Sequence, residues 1–172
     1  MSTTLFTYRL RLRPLEFSDK ANLLRLDTNP NVMRYLGTVK TEEESLAYLQ
    51  KALELSEGKT GYWVAEIEES RTFIGLFVLK QLEYTNEIEL GFRLLEEFWN
   101  KGFATEGATE LIHYCMQVLQ IPKIVAVTVP DNFASKHVLY KLGFEYKQSG
   151  IYYGIFAEYF SISKTITTNL TL

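Results

Sequence analysis

The stretch from Phe98 to Ala108 reads Phe-Trp-Asn-Lys-Gly-Phe-Ala-Thr-Glu-Gly-Ala, and its residue types and spacing point to chemistry more directly than any other part of the chain. It follows an apolar run and opens a long amphipathic pattern. A turn of small residues that launches a helix leaves backbone N–H groups without intrahelical partners. The helix dipole adds partial positive charge at the same place. Together these bind phosphate, so the stretch predicts a phosphorylated cofactor or co-substrate.

Other chemistries have weaker support. The Walker pattern Gly-x-x-x-x-Gly-Lys-Ser/Thr is absent, which argues against a P-loop nucleotide enzyme. Gly102-x-Ala104-x-x-Gly107, with Asp131 after the next strand, is a degenerate dinucleotide fingerprint. That motif, however, needs its first glycine at the end of a strand, and here Leu95 to Lys101 intervene. His113 and Cys115 are two apart on a helical pattern and point to different faces, and His137 stands alone, so no metal site is expected. Cys115 lies on the buried stripe and reads as core.

The elements that must carry the turn lie on both sides of it. Tyr8 to Pro14 alternates Leu10 and Leu12 with Arg9, Arg11 and Arg13, a strand whose arginine face is expected to be solvated. Ser18-Asp19 caps a helix over Lys20 to Leu26, and Asn29-Pro30-Asn31 breaks it. Val32 to Leu36 is a short helical turn or loop closed by Gly37. Thr41-x-x-Glu44 is a capping box for a helix to about Glu57, ended by Gly58 and Gly61. Tyr62 to Glu68, Thr72 to Leu82 and Asn86 to Leu94 read as strands two, three and four. A helix with one buried face runs through Ala104, Gly107, Ala108, Leu111, Cys115, Val118 and Leu119. Lys123 to Val129 is the fifth strand. Pro130-Asp131-Asn132 is a turn and N-cap for a helix from Phe133 to Leu142, stopped by Gly143. Phe144 to Gln148 and Ile155 to Lys164 close the pattern. The class is α+β, with about seven strands.

The chain has 172 residues, 47% of them hydrophobic, enough for one domain over 1–172 with a real core. A net charge of -3 argues against a nucleic-acid partner. One cysteine permits no internal disulfide and fits a reducing compartment. The N-terminal residues carry no signal-peptide pattern, and no apolar run approaches the length of a membrane span. The expected location is the cytoplasm, without a membrane partner.

Five segments in order then carry a resemblance. They are Arg9-Leu-Arg-Leu-Arg-Pro14, Asn29-Pro-Asn-Val-Met-Arg-Tyr-Leu-Gly37, Glu89-Leu-Gly-Phe92, Trp99-Asn-Lys-Gly-Phe-Ala-Thr-Glu106, and Asn132-Phe-Ala-Ser-Lys-His-Val-Leu-Tyr-Lys-Leu-Gly-Phe144. The chain resembles the GNAT superfamily of acyl-CoA-dependent N-acyltransferases, and within it the branch of ribosomal-protein N-acetyltransferases. The resemblance implies a central, mostly antiparallel twisted sheet with helices on both faces. It also implies a bulge in strand four, and strands four and five splayed apart.

What the resemblance implies for the site is specific. Trp99, Asn100, Lys101, Gly102, Phe103, Ala104 and Thr105 form the pyrophosphate loop for acetyl-CoA, although Trp99 stands where the family pattern has Gln or Arg. Phe92, Arg93 and Leu94 pair with the pantetheine arm through their backbone, and Asn132 reaches it from the late helix. The reaction is attack by an amine on the thioester. A lysine-type amine has a pKa near 10.4 and an α-amino group one near 7.7–8.0, so a base must take a proton. A backbone N–H near Phe92 or Arg93 is placed for the oxyanion. Glu89 is the first candidate base, with Glu87 on the same face in reserve. The family's late-helix tyrosine position falls on Leu139. Tyr140, about 100° away on the helix, and Ser135 are the candidate proton donors. The acceptor is a protein N-terminus, a polyamine or a small amine, and the chain acts as a monomer or homodimer. The rival implication is an acyl-CoA-binding sensor without turnover. Tyr146, Tyr152, Tyr153, Phe156, Tyr159 and Phe160 divide between core and an acceptor pocket or dimer contact.

Overall fold

A computed structural model describes residues 3–56 and 60–164. The strands are β1 (Leu5–Phe6), β2 (Leu10–Pro14), β3 (Gly61–Ile67), β4 (Phe73–Gln81), β5 (Ile88–Leu94), β6 (Lys123–Thr128), β7 (Glu145–Tyr152) and β8 (Ile155–Ser163). The helices are α1 (Lys20–Asp27), α2 (Pro30–Met33), α3 (Glu42–Glu54), α4 (Phe103–His113) and α5 (Phe133–Lys141). The strands form one sheet in the order β1-β2-β3-β4-β5-β6-β8-β7. Every neighbouring pair is antiparallel except β5–β6. A parallel pair needs a crossover, and α4 supplies it.

Helices cover both faces. On one side Phe103, Ala108 and Leu111 of α4 and Leu139 of α5 pack on Trp63, Phe77, Leu90, Leu94 and Phe160. On the other, Leu23 and Leu26 of α1 and Leu49 and Ala52 of α3 pack on Tyr62, Val64 and Leu76. The periodicities explain this division. Leu10 and Leu12 alternate into the α4 side, and the capping box at Thr41 and Glu44 fixes the start of α3, with both of its reciprocal hydrogen bonds present.

Several expectations need correction. Among the described residues there are eight strands, because the two-residue β1 pairs with β2; so short an element carries no alternation for a sequence to show. The β4–β5 ladder keeps one register throughout, so the bulge expected on this strand is absent from it. Register shifts occur instead between Ala65 and Glu66 and between Tyr146 and Gln148. The arginines of the expected solvated face are paired as well as partly solvated, Arg13 being the most buried of the three. Arg13 donates to Asp19 Oδ1 at 2.7 Å, six residues along the chain, and to Glu66 Oε1 at 2.8 Å on β3. Asp19 stands at the α1 N-cap position, but its carboxylate accepts from Arg13 and from the Glu16 N–H and makes no cap bond. The Asn29 side chain caps α2, with Pro30 at its first position. The helix from Glu42 ends at Glu54; Glu57 and Gly58 lie outside the described residues, and Gly61 opens β3. The amphipathic run after Phe103 leaves α-geometry at Tyr114 and finishes as a π-helical turn, Tyr114–Val118. β7 runs on to Tyr152 because Ser149 and Gly150 pair with Glu158 and Ala157.

Candidate active site

β5 and β6 touch only briefly. Their ladder contains Ile88 against Ile124 and Glu89 against Val125, and then the strands part. From Leu90 to Leu94, β5 is paired on the β4 side alone. The expected splay is therefore present, and it is made on the β6 edge of β5. Backbone groups on that edge are available to another extended chain, as at any open sheet edge. Phe92, Arg93 and Leu94 all lie on it.

The open end of β5 leads into the turn. Trp99 donates its indole N–H to the Leu94 carbonyl at 2.7 Å, so its side chain braces the strand end. Asn100 and Gly102 both take positive φ, 58° and 82°, and no side chain caps the first turn of α4. The left-handed conformation at position 102 suits glycine. Phe103 is buried against Phe98 and carries the Arg9 guanidinium 4.4 Å above its ring. Arg9 also donates to the Lys101 carbonyl at 3.0 Å and to Glu106 Oε2 at 2.6 Å. Burial acts against the ionised Glu106, but Thr7 and Arg9 donate to it and hold its carboxyl below the usual range. The loop is thus pinned through Arg9 to the bend just before β2, a role the alternating pattern did not reveal. The residues present fit a diphosphate: an uncapped helix N-terminus, small residues at 102 and 104, and Lys101 beside them.

Glu89 sits where β5 and β6 part. Alternation puts its side chain on the same face as Arg93, whose guanidinium pairs with the fully buried Asp27 of α1 and lies 5.1 Å from the Tyr48 ring of α3. Glu89 is only 6% exposed, and burial pushes its carboxyl above the ordinary carboxylate range, partly offset by Lys80 and Tyr153. The Tyr153 hydroxyl donates to Glu89 Oε2, and the Lys80 ammonium is 3.6 Å from the same oxygen. Glu87 differs: Lys123 and the Tyr159 hydroxyl hold its carboxyl below the usual range against the opposing effect of burial. A carboxyl held low is a weak base, so the environments separate two glutamates that the sequence could only rank.

Comparison with known proteins fits this geometry. The sequence model of the acetyltransferase (GNAT) domain matches residues 9–145. The chain belongs to the GNAT acetyltransferase family. It is an acyl-CoA-dependent acetyltransferase by that membership. It is 30% identical to the FsC-acetyl coenzyme A-N(2)-transacetylase of Aspergillus fumigatus over 79% of its own length, and spans 62% of that protein. It is 29% identical to the spermidine N(1)-acetyltransferase of Escherichia coli, covering 80% of this chain and 73% of that one. Its fold superposes with a TM-score of 0.78 on RimL, a ribosomal alpha-N-protein acetyltransferase in complex with coenzyme A, at 19% identity over 92% of this chain and 96% of that one.

Within this GNAT chain, α5 is positioned by Asn132. Its side chain accepts from the Ser135 N–H at 3.1 Å, which fulfils the N-cap role. The Ser135 side chain is half-buried in the first turn. Leu139, at the family's tyrosine position, is 1% exposed and belongs to the core. Tyr140 is 57% exposed, with its ring edge-on to Phe160. Phe160 belongs to the cluster under α4 and α5, so Tyr140 lies on the opposite face of the sheet from the Glu89 side chain. The structure therefore gathers Glu89, Lys80 and Tyr153 at one point and leaves Tyr140 apart from them. Sequence reading missed Lys80 and singled out Tyr153 only as part of an aromatic cluster, because the contact joins positions 64 apart. Cys115 is fully buried and its thiol is pushed up to about 11 by burial, the reverse of an activated nucleophile. Among the described residues no group of three His, Cys, Asp or Glu could hold a metal, and no helix is long and apolar enough to cross a membrane.

Proposed function

We propose that this chain transfers the acetyl group of acetyl-CoA directly to a primary amine: a protein N-terminus, a polyamine or a small amine. The observation that carries the reading is the parting of β5 from β6 immediately after Glu89. It puts an open backbone edge, a buried carboxylate and an uncapped helix N-terminus around one gap. In this reading the loop Trp99 to Thr105 holds the diphosphate of acetyl-CoA through backbone N–H groups. The pantetheine arm lies along Phe92, Arg93 and Leu94, next to Asn132 and Ser135. Glu89 takes the amine proton. Its raised pKa brings it closer to the pKa of an α-amino group and so improves it as a base. An N–H at Phe92 or Arg93 stabilises the oxyanion. The Ser135 hydroxyl is the candidate donor to the departing thiolate, since position 139 has no proton to give.

The test is release of free coenzyme A from acetyl-CoA with a panel of amine acceptors: N-terminal peptides, polyamines and small amines. Turnover with at least one, with acetyl recovered on its nitrogen, is the expected result. Binding of coenzyme A with no turnover across the panel overturns the reading in favour of a sensor.

A further inference from the structure

Tyr153 occupies the tip of the β7–β8 hairpin, in left-handed backbone geometry with φ 52°, followed by Gly154 with φ 76°. That tight turn folds the phenol back over the sheet, where its hydroxyl reaches Glu89 Oε2. The Lys80 ammonium lies 4.2 Å from the centre of the Tyr153 ring and 3.6 Å from the same carboxylate oxygen. The three side chains come from three separate elements: β4, β5 and the hairpin. Both contacts fall on Oε2. Among the described residues no hydrogen bond or ion pair reaches Oε1, which is the oxygen left to meet an acceptor.

We propose that Tyr153 is a positioning residue for the reaction: with Lys80 it fixes the Glu89 carboxylate in one orientation and keeps it ionised, leaving its second oxygen to receive the amine proton. The inference rests on the reading of Glu89 as the base. The physical need is plain. A carboxylate buried to this degree loses its charge unless donors compensate. The Lys80 charge offsets this most, and the hydrogen bond that Tyr153 donates to the ionised form adds to it. The phenol itself stays protonated, because burial and the adjacent Glu89 charge both raise its pKa. It is therefore a lasting donor, not a competitor for the proton.

The remaining charged and titratable groups around this point are accounted for. Tyr62 on β3 feels the Glu89 charge and is itself pushed up, first by burial. Glu83 acts on Tyr153 from the β4–β5 connection. Arg93 is engaged with Asp27. Glu87, Lys123 and Tyr159 form their own cluster one step along the sheet. None of these donates to Glu89, so Tyr153 and Lys80 carry the effect.

The experiment compares wild type with Tyr153→Phe, which keeps the ring and its packing, and uses Tyr146→Phe on the same hairpin as control. Two readouts are taken: the pH profile of kcat/KM with the best acceptor, and the titration of Glu89 followed by carboxyl carbon NMR. Tyr153→Phe is expected to move the acidic limb to higher pH. It should lower kcat/KM about tenfold on that limb, the weight of one hydrogen bond to a charged group, while the KM for acetyl-CoA stays the same. The Glu89 titration should move in the same direction, and neither should move in Tyr146→Phe. An unmoved titration midpoint in Tyr153→Phe overturns the proposal. Glu89→Gln separates the two readings. If that variant keeps full turnover, Glu89 is not the base, yet the NMR midpoint still reports whether Tyr153 holds the carboxylate.

Discussion

The two halves of β5 are built on opposite principles. At Ile88 and Glu89 the strand is hydrogen-bonded on both edges, to β4 and to β6. Its backbone there is satisfied, and what it offers are carboxylates: Glu89 and, just before the strand, Glu87. From Leu90 to Leu94 one edge is open, and the Arg93 side chain, largely buried beneath α1 and α3, is engaged by Asp27. There the strand offers its backbone. Seven residues thus supply a side-chain function where the main chain is locked and a main-chain function where the side chains are locked. In the proposed reading, a thioester bound along the open half lies beside the base where that half ends, so that the carbonyl and the group that takes the amine proton are held together without a mobile element.

Glu89→Gln breaks the closed half most sharply. It keeps the size and a hydrogen-bonding oxygen and removes the proposed base. A fall in kcat of about 10² or more is expected, the usual scale of general-base catalysis, with the far-UV circular dichroism and the affinity for coenzyme A unchanged. A drop in kcat of less than about threefold would mean that the carboxylate has no part in proton transfer.

The open half is broken from behind. Gly75 pairs with Leu94, and a Cβ at position 75 would come within 2.8 Å of the Leu94 Cα and 2.5 Å of its Cδ2. Because β4 is the only strand holding this half, Gly75→Ala must push it away. A loss of about 1–3 kcal/mol in unfolding free energy is expected, together with weaker coenzyme A binding by calorimetry. Gly102→Val acts one step further on. It forces a β-branched residue into φ 82°, a strain of about 1–3 kcal/mol. The KM for acetyl-CoA should rise about tenfold while kcat at saturation changes little. An effect on kcat alone would move the loop from coenzyme binding to the chemistry.

The same contrast explains what the sequence disclosed. The proposed coenzyme side is local: Gly102, Ala104 and the helix they open are adjacent in the chain, and Asn132 caps α5 three residues from its partner. Such signals survive in a linear reading. The capping box at Thr41, the buried stripe as far as Cys115 and the two leucines of β2 were legible for the same reason; Val118, placed on that stripe by α-helical spacing, is exposed because the chain has passed into the π-helical turn. The proposed acceptor side is assembled across the sheet, from Lys80, Glu89 and Tyr153, and nothing in the spacing of these three predicts contact. Arg9, Arg11 and Arg13 misled for a related cause. Alternation shows which residues leave the core, but not that Glu66, Asp19 and Glu106 wait for them. The bulge, implied by resemblance alone, failed because strands can part by ending a ladder as well as by inserting a residue.

Glu87→Gln is the mildest change and the best control on the closed half, since it alters a carboxylate two residues from Glu89 on the same face. Burial would raise the Glu87 pKa, but Lys123 and Tyr159 outweigh it and the group sits below its ordinary value. A depressed folded-state pKa means that the contribution to stability is present above the unfolded value, near 4.3, and is lost as the pH falls through the folded one. The pair is partly exposed on both sides, so the contribution is under about 1 kcal/mol. Glu87→Gln should therefore lower the melting temperature slightly at pH 7 and leave it unchanged at pH values below the folded pKa, where the wild-type carboxyl is protonated as well. Turnover at pH 7 should stay within about twofold, because this carboxylate already has its donors and lies before the strands part. A large loss of turnover here, with Glu89→Gln mild, would exchange the roles of the two glutamates and put the base at the Lys123 and Tyr159 cluster instead of beside Tyr153.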